Sequence, residues 1–141
     1  MKIRFALVVV AAVFGTSAFY TAAGAQAPSS VLEGVYTEEQ ATRGQKIYAD
    51  QCAACHGEMM AGMDPIPALA GADFVARWKN VGELFEKTAT TMPAIDPGSL
   101  SGPQVAEVIA HVLAVNKYPA GKTELAPKAE ALTPIKIEPA K

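Results

Sequence analysis

Cys52 and Cys55 are the only two cysteines in the chain, and His56 follows the second directly. The run Cys52-Ala53-Ala54-Cys55-His56 admits four kinds of chemistry. A dithiol redox pair uses the same gap, but usually after a strand in a βαβ unit, and no strand pattern precedes it. A zinc site needs four ligands, and outside the motif the only other histidine is His111, far along an amphipathic helix. A disulfide across two residues closes a tiny loop and constrains little. The fourth possibility is covalent attachment of a c-type haem. One helical turn presents both sulfurs to two vinyl groups on one porphyrin edge, and the next residue sets its imidazole beneath the iron. The adjacency of His56 favours this fourth chemistry. It implies one haem c, covalently held, with His56 as proximal ligand.

A second axial position then has to be filled, and methionine is the common partner. Met59, Met60 and Met63 lie within seven residues of His56, too close to round the porphyrin rim and reach its opposite face. Met92 lies in a loop one helix away, followed by Pro93, which stiffens the segment presenting the sulfur. The expected metal ligands are His56 and Met92. For the other three methionines two readings stand, core filler or haem-edge surface. On the second, the stretch Glu58 to Asp64 is an adaptable docking patch. By helical phase His111 lies on the flank of its apolar stripe, where a surface or helix-packing role is expected; as an iron ligand it would give a lower potential than methionine.

The elements that must position these groups are helical. Thr37-Glu38-Glu39-Gln40 has the form of a capping box, so a helix should start there and carry Ala41, Gly44, Ile47 and Tyr48 on one face. Gly44 inside it costs about 1 kcal/mol against Ala, which points to close contact with another helix. Residues 57–71 hold Gly57, Gly62, Pro65, Pro67 and Gly71 and should be loop. A short helix is expected over Ala72 to Lys79 and another after the cap at Asn80, carrying Leu84 and Phe85. Ser101-Gly102-Pro103-Gln104 opens the last helix, with Val105, Val108, Ile109, Val112 and Leu113 at 3.6-residue spacing. No strand shows convincing alternation. Residues 26–36 read as a flexible segment, and 126–141 as an extended tail of prolines, charges and isolated apolar residues.

Lys2 and Arg4, the apolar run Phe5 to Phe14 and the small residues up to Ala27 have the form of an export signal over residues 1–25. Cleavage after Ala25 or Ala27 leaves about 115 residues, one small domain, with no stable membrane span and a periplasmic location. Ten basic residues then face fourteen acidic ones, a net charge of −4 that argues against a nucleic-acid partner.

The chain resembles the class I cytochromes c of the bacterial periplasm from about Thr37 to Leu125. The resemblance rests on Gly44 and Tyr48, Cys52 to Gly57, Pro67-Ala68-Leu69-Ala70-Gly71, Trp78, Thr91-Met92-Pro93 and the terminal helix. The stretches Met92 to Ser101 and Pro119-Ala120-Gly121 are similar to cytochromes serving quinoprotein dehydrogenases. The resemblance implies an all-α fold, a small cytochrome c domain over 37–125, with three to five helices packed around one haem c. It also implies that Pro67 orients His56, Leu69 and Phe85 pack on the porphyrin, and Trp78 lies near a propionate. An aromatic, usually Tyr, is expected where this chain has His111. The expected function is single-electron transfer from a periplasmic dehydrogenase to a cytochrome or terminal oxidase, not catalysis. Alternatives are an electron-accepting subunit fixed to such a dehydrogenase, or a small haem peroxidase or gas-binding protein.

Overall fold

The structure, a computed structural model, describes residues 27–140, so the expected signal over residues 1–25 lies outside the described residues. Among those residues the fold is all-α: α1 (Glu38–Gln51), α2 (Ala53–His56), α3 (Ala72–Arg77), α4 (Val81–Thr91), α5 (Gly102–Val115) and α6 (Ala129–Leu132), after a 3₁₀ turn at Val31–Glu33. α2 and α6 are single turns of four residues. Three isolated bridges, and no strand, complete the described backbone. No described helix is long and apolar enough to cross a membrane.

Helix starts follow the chemistry of their caps. Thr37 Oγ1 accepts from the Gln40 N–H at 3.1 Å, and Glu38 and Glu39 sit in the first turn, where the helix dipole favours negative charge. Asn80 Oδ1 accepts from the Glu83 N–H at 2.9 Å to start α4. The Ser101 N–H donates to Gln104 Oε1 at 2.9 Å to start α5. The first box differs from its expected form in one respect. Gln40 does not reach back to its cap; its buried amide pairs with Leu125, donating to the carbonyl at 3.1 Å and accepting the N–H at 2.8 Å. The first turn of α1 is therefore fastened to the chain that leaves α5.

α1 and α5 make the main helix contact. Val105, Val108, Ile109, Val112 and Leu113 are all buried, so the apolar stripe of α5 is its core face. Gly44 meets the Glu107 backbone so closely that a Cβ there would overlap the Glu107 carbonyl. That contact accounts for a glycine among good helix formers. One turn on, the buried Tyr48 faces His111, with ring centroids 5.5 Å apart and tilted by 57°. His111 thus supplies a ring at the crossing, where the resemblance implies an aromatic.

The two end segments are better ordered than their composition suggests. Val31, Val35 and Tyr36 are buried, as are Tyr118, Leu125, Leu132, Ile135 and Ile137. The Val31 N–H donates to the Lys136 carbonyl at 3.0 Å, the Lys136 N–H to the Ser29 carbonyl at 2.8 Å and the Val81 N–H to the Ile135 carbonyl at 2.9 Å. Tyr36 Oη donates to the Tyr118 carbonyl and Tyr118 Oη to the Glu138 carbonyl, both at 2.6 Å. Neither segment has helical or strand periodicity, because each apolar residue fills a separate niche along an irregular path. The expected flexible segment and extended tail are instead a paired strap across α4.

Two outcomes follow. Leu132→Ala should destabilise the protein by about 2–4 kcal/mol in denaturant unfolding, because the side chain is 1% exposed and its removal leaves a cavity; a loose tail would give close to zero. Burial pulls His111 below its ordinary pKa of about 6.5. The unfolded chain then takes up the proton at a higher pH than the native one, so this contribution to stability is full near neutrality. It is lost as pH falls through about 6.5 toward the lower native value. His111→Phe should lose less stability than the wild type between about pH 7.5 and 5, measured by urea midpoints.

Candidate functional site

α1 ends at Gln51, and Cys52 joins it to the single turn α2. The Cys52 N–H donates back to the Tyr48 carbonyl at 2.9 Å, and the His56 N–H to the Cys52 carbonyl at 2.9 Å. Both sulfurs therefore belong to one turn, Cys52 half-buried and Cys55 exposed, with no disulfide between them. Burial, with a smaller contribution from Cys55, pushes the Cys52 thiol up to about 11. A thiol held that high has little thiolate character of its own. Among the described residues no group of three or more His, Cys, Asp or Glu is gathered at one place.

His56 is buried, and its Nδ1 lies 3.0 Å from the Pro67 carbonyl oxygen. A carbonyl only accepts, so the proton sits on Nδ1 and the lone pair on Nε2. The loop that brings Pro67 there is held at several points. Tyr48 Oη donates to the Gly57 carbonyl at 2.7 Å, and the Gly62 N–H to the His56 carbonyl at 3.0 Å. At its far end Asn116 Nδ2 donates to the Leu69 carbonyl and Asn116 Oδ1 accepts from the Gly71 N–H, both at 2.9 Å. Asn116, the residue that caps α5, was not evident as a site residue from sequence; its only signal was an Asn at a helix end.

The remaining residues lie on other elements. Leu69 and Trp78 are half-buried against the main core, and Phe85 of α4 is part of it. Met92 is the half-buried cap at the end of α4, its N–H donating to the Thr88 carbonyl at 3.0 Å. Its loop is closed by the Gly98 N–H on the Met92 carbonyl at 3.4 Å and the Asp96 N–H on the Pro93 carbonyl at 3.0 Å, with Pro93 buried. His111 lies against Tyr48 in the helix crossing.

One buried polar atom has no partner among the described residues. Trp78 Nε1–H is shielded from water and donates to no described residue. Leaving such a donor empty costs about 1–3 kcal/mol, and an acceptor from a bound group removes that cost. Two thiols on one turn, an imidazole with a free Nε2 and an unpaired indole donor suit a porphyrin with vinyl groups, iron and carboxylate arms. The residues present fit a covalent haem.

The chain matches the family described as cytochrome c oxidase, cbb3-type, subunit III over residues 39–112, just over half its length and from the first turn of α1 to the last of α5. No curated protein sequence matches it. Among solved structures its fold is similar to a chain of the sulfane dehydrogenase SoxCD from Paracoccus pantotrophus, with a TM-score of 0.54 and 23% identity. The match covers 69% of this chain and 52% of that one, so this chain spans about half the length of its structural neighbour. At that identity the likeness speaks for the fold alone. The family match takes in the attachment turn, the Pro67 loop and Met92 together, and the chain belongs to the cbb3-type subunit III family as a class I c-type cytochrome, an electron-transfer protein with covalently bound haem c.

Proposed function

We propose that this chain is an exported mono-haem cytochrome of the periplasm whose iron is held by His56 and Met92, and that it passes single electrons from a dehydrogenase to a cytochrome or terminal oxidase. The haem supplies the one-electron couple, with no bond made or broken in the substrate sense. The observation that carries the reading is the His56 ring: Nδ1 is committed to the Pro67 carbonyl at 3.0 Å, which fixes the ring and leaves Nε2 free to ligate. The same hydrogen bond holds the tautomer in which Nε2 carries the lone pair.

The other residues act by holding and shielding. Cys52 and Cys55 fasten the porphyrin edge through thioethers. Trp78 Nε1–H donates to a propionate, and Leu69 and Phe85 form apolar walls that keep water from the iron. The Met92 thioether is a soft neutral ligand that favours the ferrous state and so raises the potential. A protein that only relays electrons needs no general acid or base beside the metal, and the proposed roles include none.

A second reading is an electron-accepting cytochrome subunit fixed to a dehydrogenase. It is favoured by the solved neighbour, a dehydrogenase chain about twice as long as the part this fold matches. Co-purification with a large catalytic subunit distinguishes that arrangement from a free shuttle.

Met92→Ala should keep the haem attached, open the sixth position and let carbon monoxide bind. It should also lower the midpoint potential by a fraction of the roughly 0.8 V that axial ligation spans. An unchanged absorption spectrum would remove Met92 from the ligand set. Cys52→Ala combined with Cys55→Ala should abolish covalent attachment; haem that stays with the denatured polypeptide in gel electrophoresis would contradict the thioether scheme.

A further inference from the structure

The loop after the attachment turn sorts its three methionines. Met60 is fully buried and gripped on both sides of its backbone, its N–H donating to the Gly57 carbonyl at 3.1 Å and its carbonyl accepting from the Leu69 N–H at 2.9 Å. Gly62, at a φ of +67°, lies against the backbone of Pro67 and Ala68 with no room for a Cβ. Met63 pairs with Ile66 through the backbone. A loop pinned at these points holds Met59 and Met63 outward, 82% and 60% exposed. Ile95 stands out in the same way at 90% exposure, three residues past Met92 in the loop closed by Pro93 and Gly98.

Each of these exposed apolar residues has an exposed acid beside it in sequence: Glu58 with Met59, Asp64 with Met63, and Asp96 with Ile95. Residues 47–76 and 88–116, the two stretches that carry the attachment turn and Met92, contain six acids and no Lys or Arg. Beyond Lys2 and Arg4, the basic residues lie on α1, across residues 77–87 and from Lys117 onward. The charge is therefore divided along the sequence: the two stretches that hold Met59, Met63 and Ile95 contain only acids among their charged residues, of which Glu107 is paired with Arg43 of α1 at 2.6 Å.

We propose that Met59 and Met63 with Glu58 and Asp64, joined by Ile95 with Asp96, form the docking surface for a redox protein whose contact face has an apolar centre ringed by Lys or Arg. The proposal rests on His56 and Met92 being the axial ligands, because that places both loops beside one haem. Flexible thioethers adapt to a partner during brief encounters, and opposite charge steers approach and sets orientation. A second copy of this chain would set acid against acid, and anionic lipid headgroups would do the same.

The test uses the haem-loaded protein with ¹³C-labelled methionine methyl groups, titrated by NMR with a peptide of four lysines around one tryptophan. The Met59 and Met63 methyl signals should shift and Met60 should not, with affinity falling as salt is added. Glu58→Lys combined with Asp64→Lys should weaken binding about tenfold or more at low salt. Met59→Gln with Met63→Gln should weaken it in the same direction while keeping the charge. Shifts confined to other parts of the surface, or a charge reversal without effect, would overturn the proposal. So would self-association in sedimentation, or binding to anionic phosphatidylserine vesicles through the same methyl groups. The ferric absorption spectrum of the same samples separates the two levels. An intact Met–iron band with unmoved Met59 and Met63 signals defeats the docking surface alone, whereas a wild-type spectrum without that band defeats the ligand reading and the surface with it.

Discussion

The backbone approach of α1 and α5 at Gly44 and Glu107 is the constraint on which the rest depends. With no side chain between them, the two helices set the distance at which Tyr48 and His111 meet. Tyr48 then reaches forward to the Gly57 carbonyl, and its own carbonyl receives the Cys52 N–H. The attachment turn is thus suspended from the helix crossing at both of its ends. α5 holds the far side of the same loop through Asn116, which fixes Leu69 and Gly71. A Cβ at position 44 would push apart not only two helices but the supports of the His56 ring.

Polar groups inside this small domain are few, and most are tied to the backbone. Gln40 satisfies both atoms of its amide on Leu125. His56 gives its Nδ1 proton to Pro67. Among the described residues Trp78 keeps the one unanswered buried side-chain donor, which the proposed propionate partner would satisfy. Burying a polar group is tolerable only when its hydrogen bond is made, so this single exception has more to say about what binds than any of the satisfied groups. A domain of this size gains from a porphyrin as much as it offers, since the ring adds apolar surface that the polypeptide lacks.

How far the sequence could be read varied with the range of the interaction. The attachment turn, the Gly44 contact and the stripe of α5 were legible because each is written in residue types at fixed spacing. So were the three caps at Thr37, Asn80 and Ser101, since a cap depends on four consecutive residues. The second half of the first cap was misleading for a physical reason: the Gln40 amide has a better long-range partner, and buried pairing with Leu125 outweighs a solvent-exposed local bond. The end segments were least legible. Ser30, Val31 and Lys136 meet only because the whole chain lies between them, and neither segment repeats its apolar residues at any regular interval. The methionines of the attachment loop fell between these cases. Which of them turned inward was decided by the backbone grip on Met60, a contact with Leu69 that no pattern announces.

The pairing of residues 29–31 with Lys136 also bears on how the fold closes. These residues take their partner from more than a hundred positions further along the chain, so the contact carries the loop-closure entropy of nearly the whole domain. Both helices of the α1–α5 crossing lie inside that loop. A contact of such range repays its entropy only when the elements between its ends are already packed, which makes the strap a seal on the fold and not its nucleus.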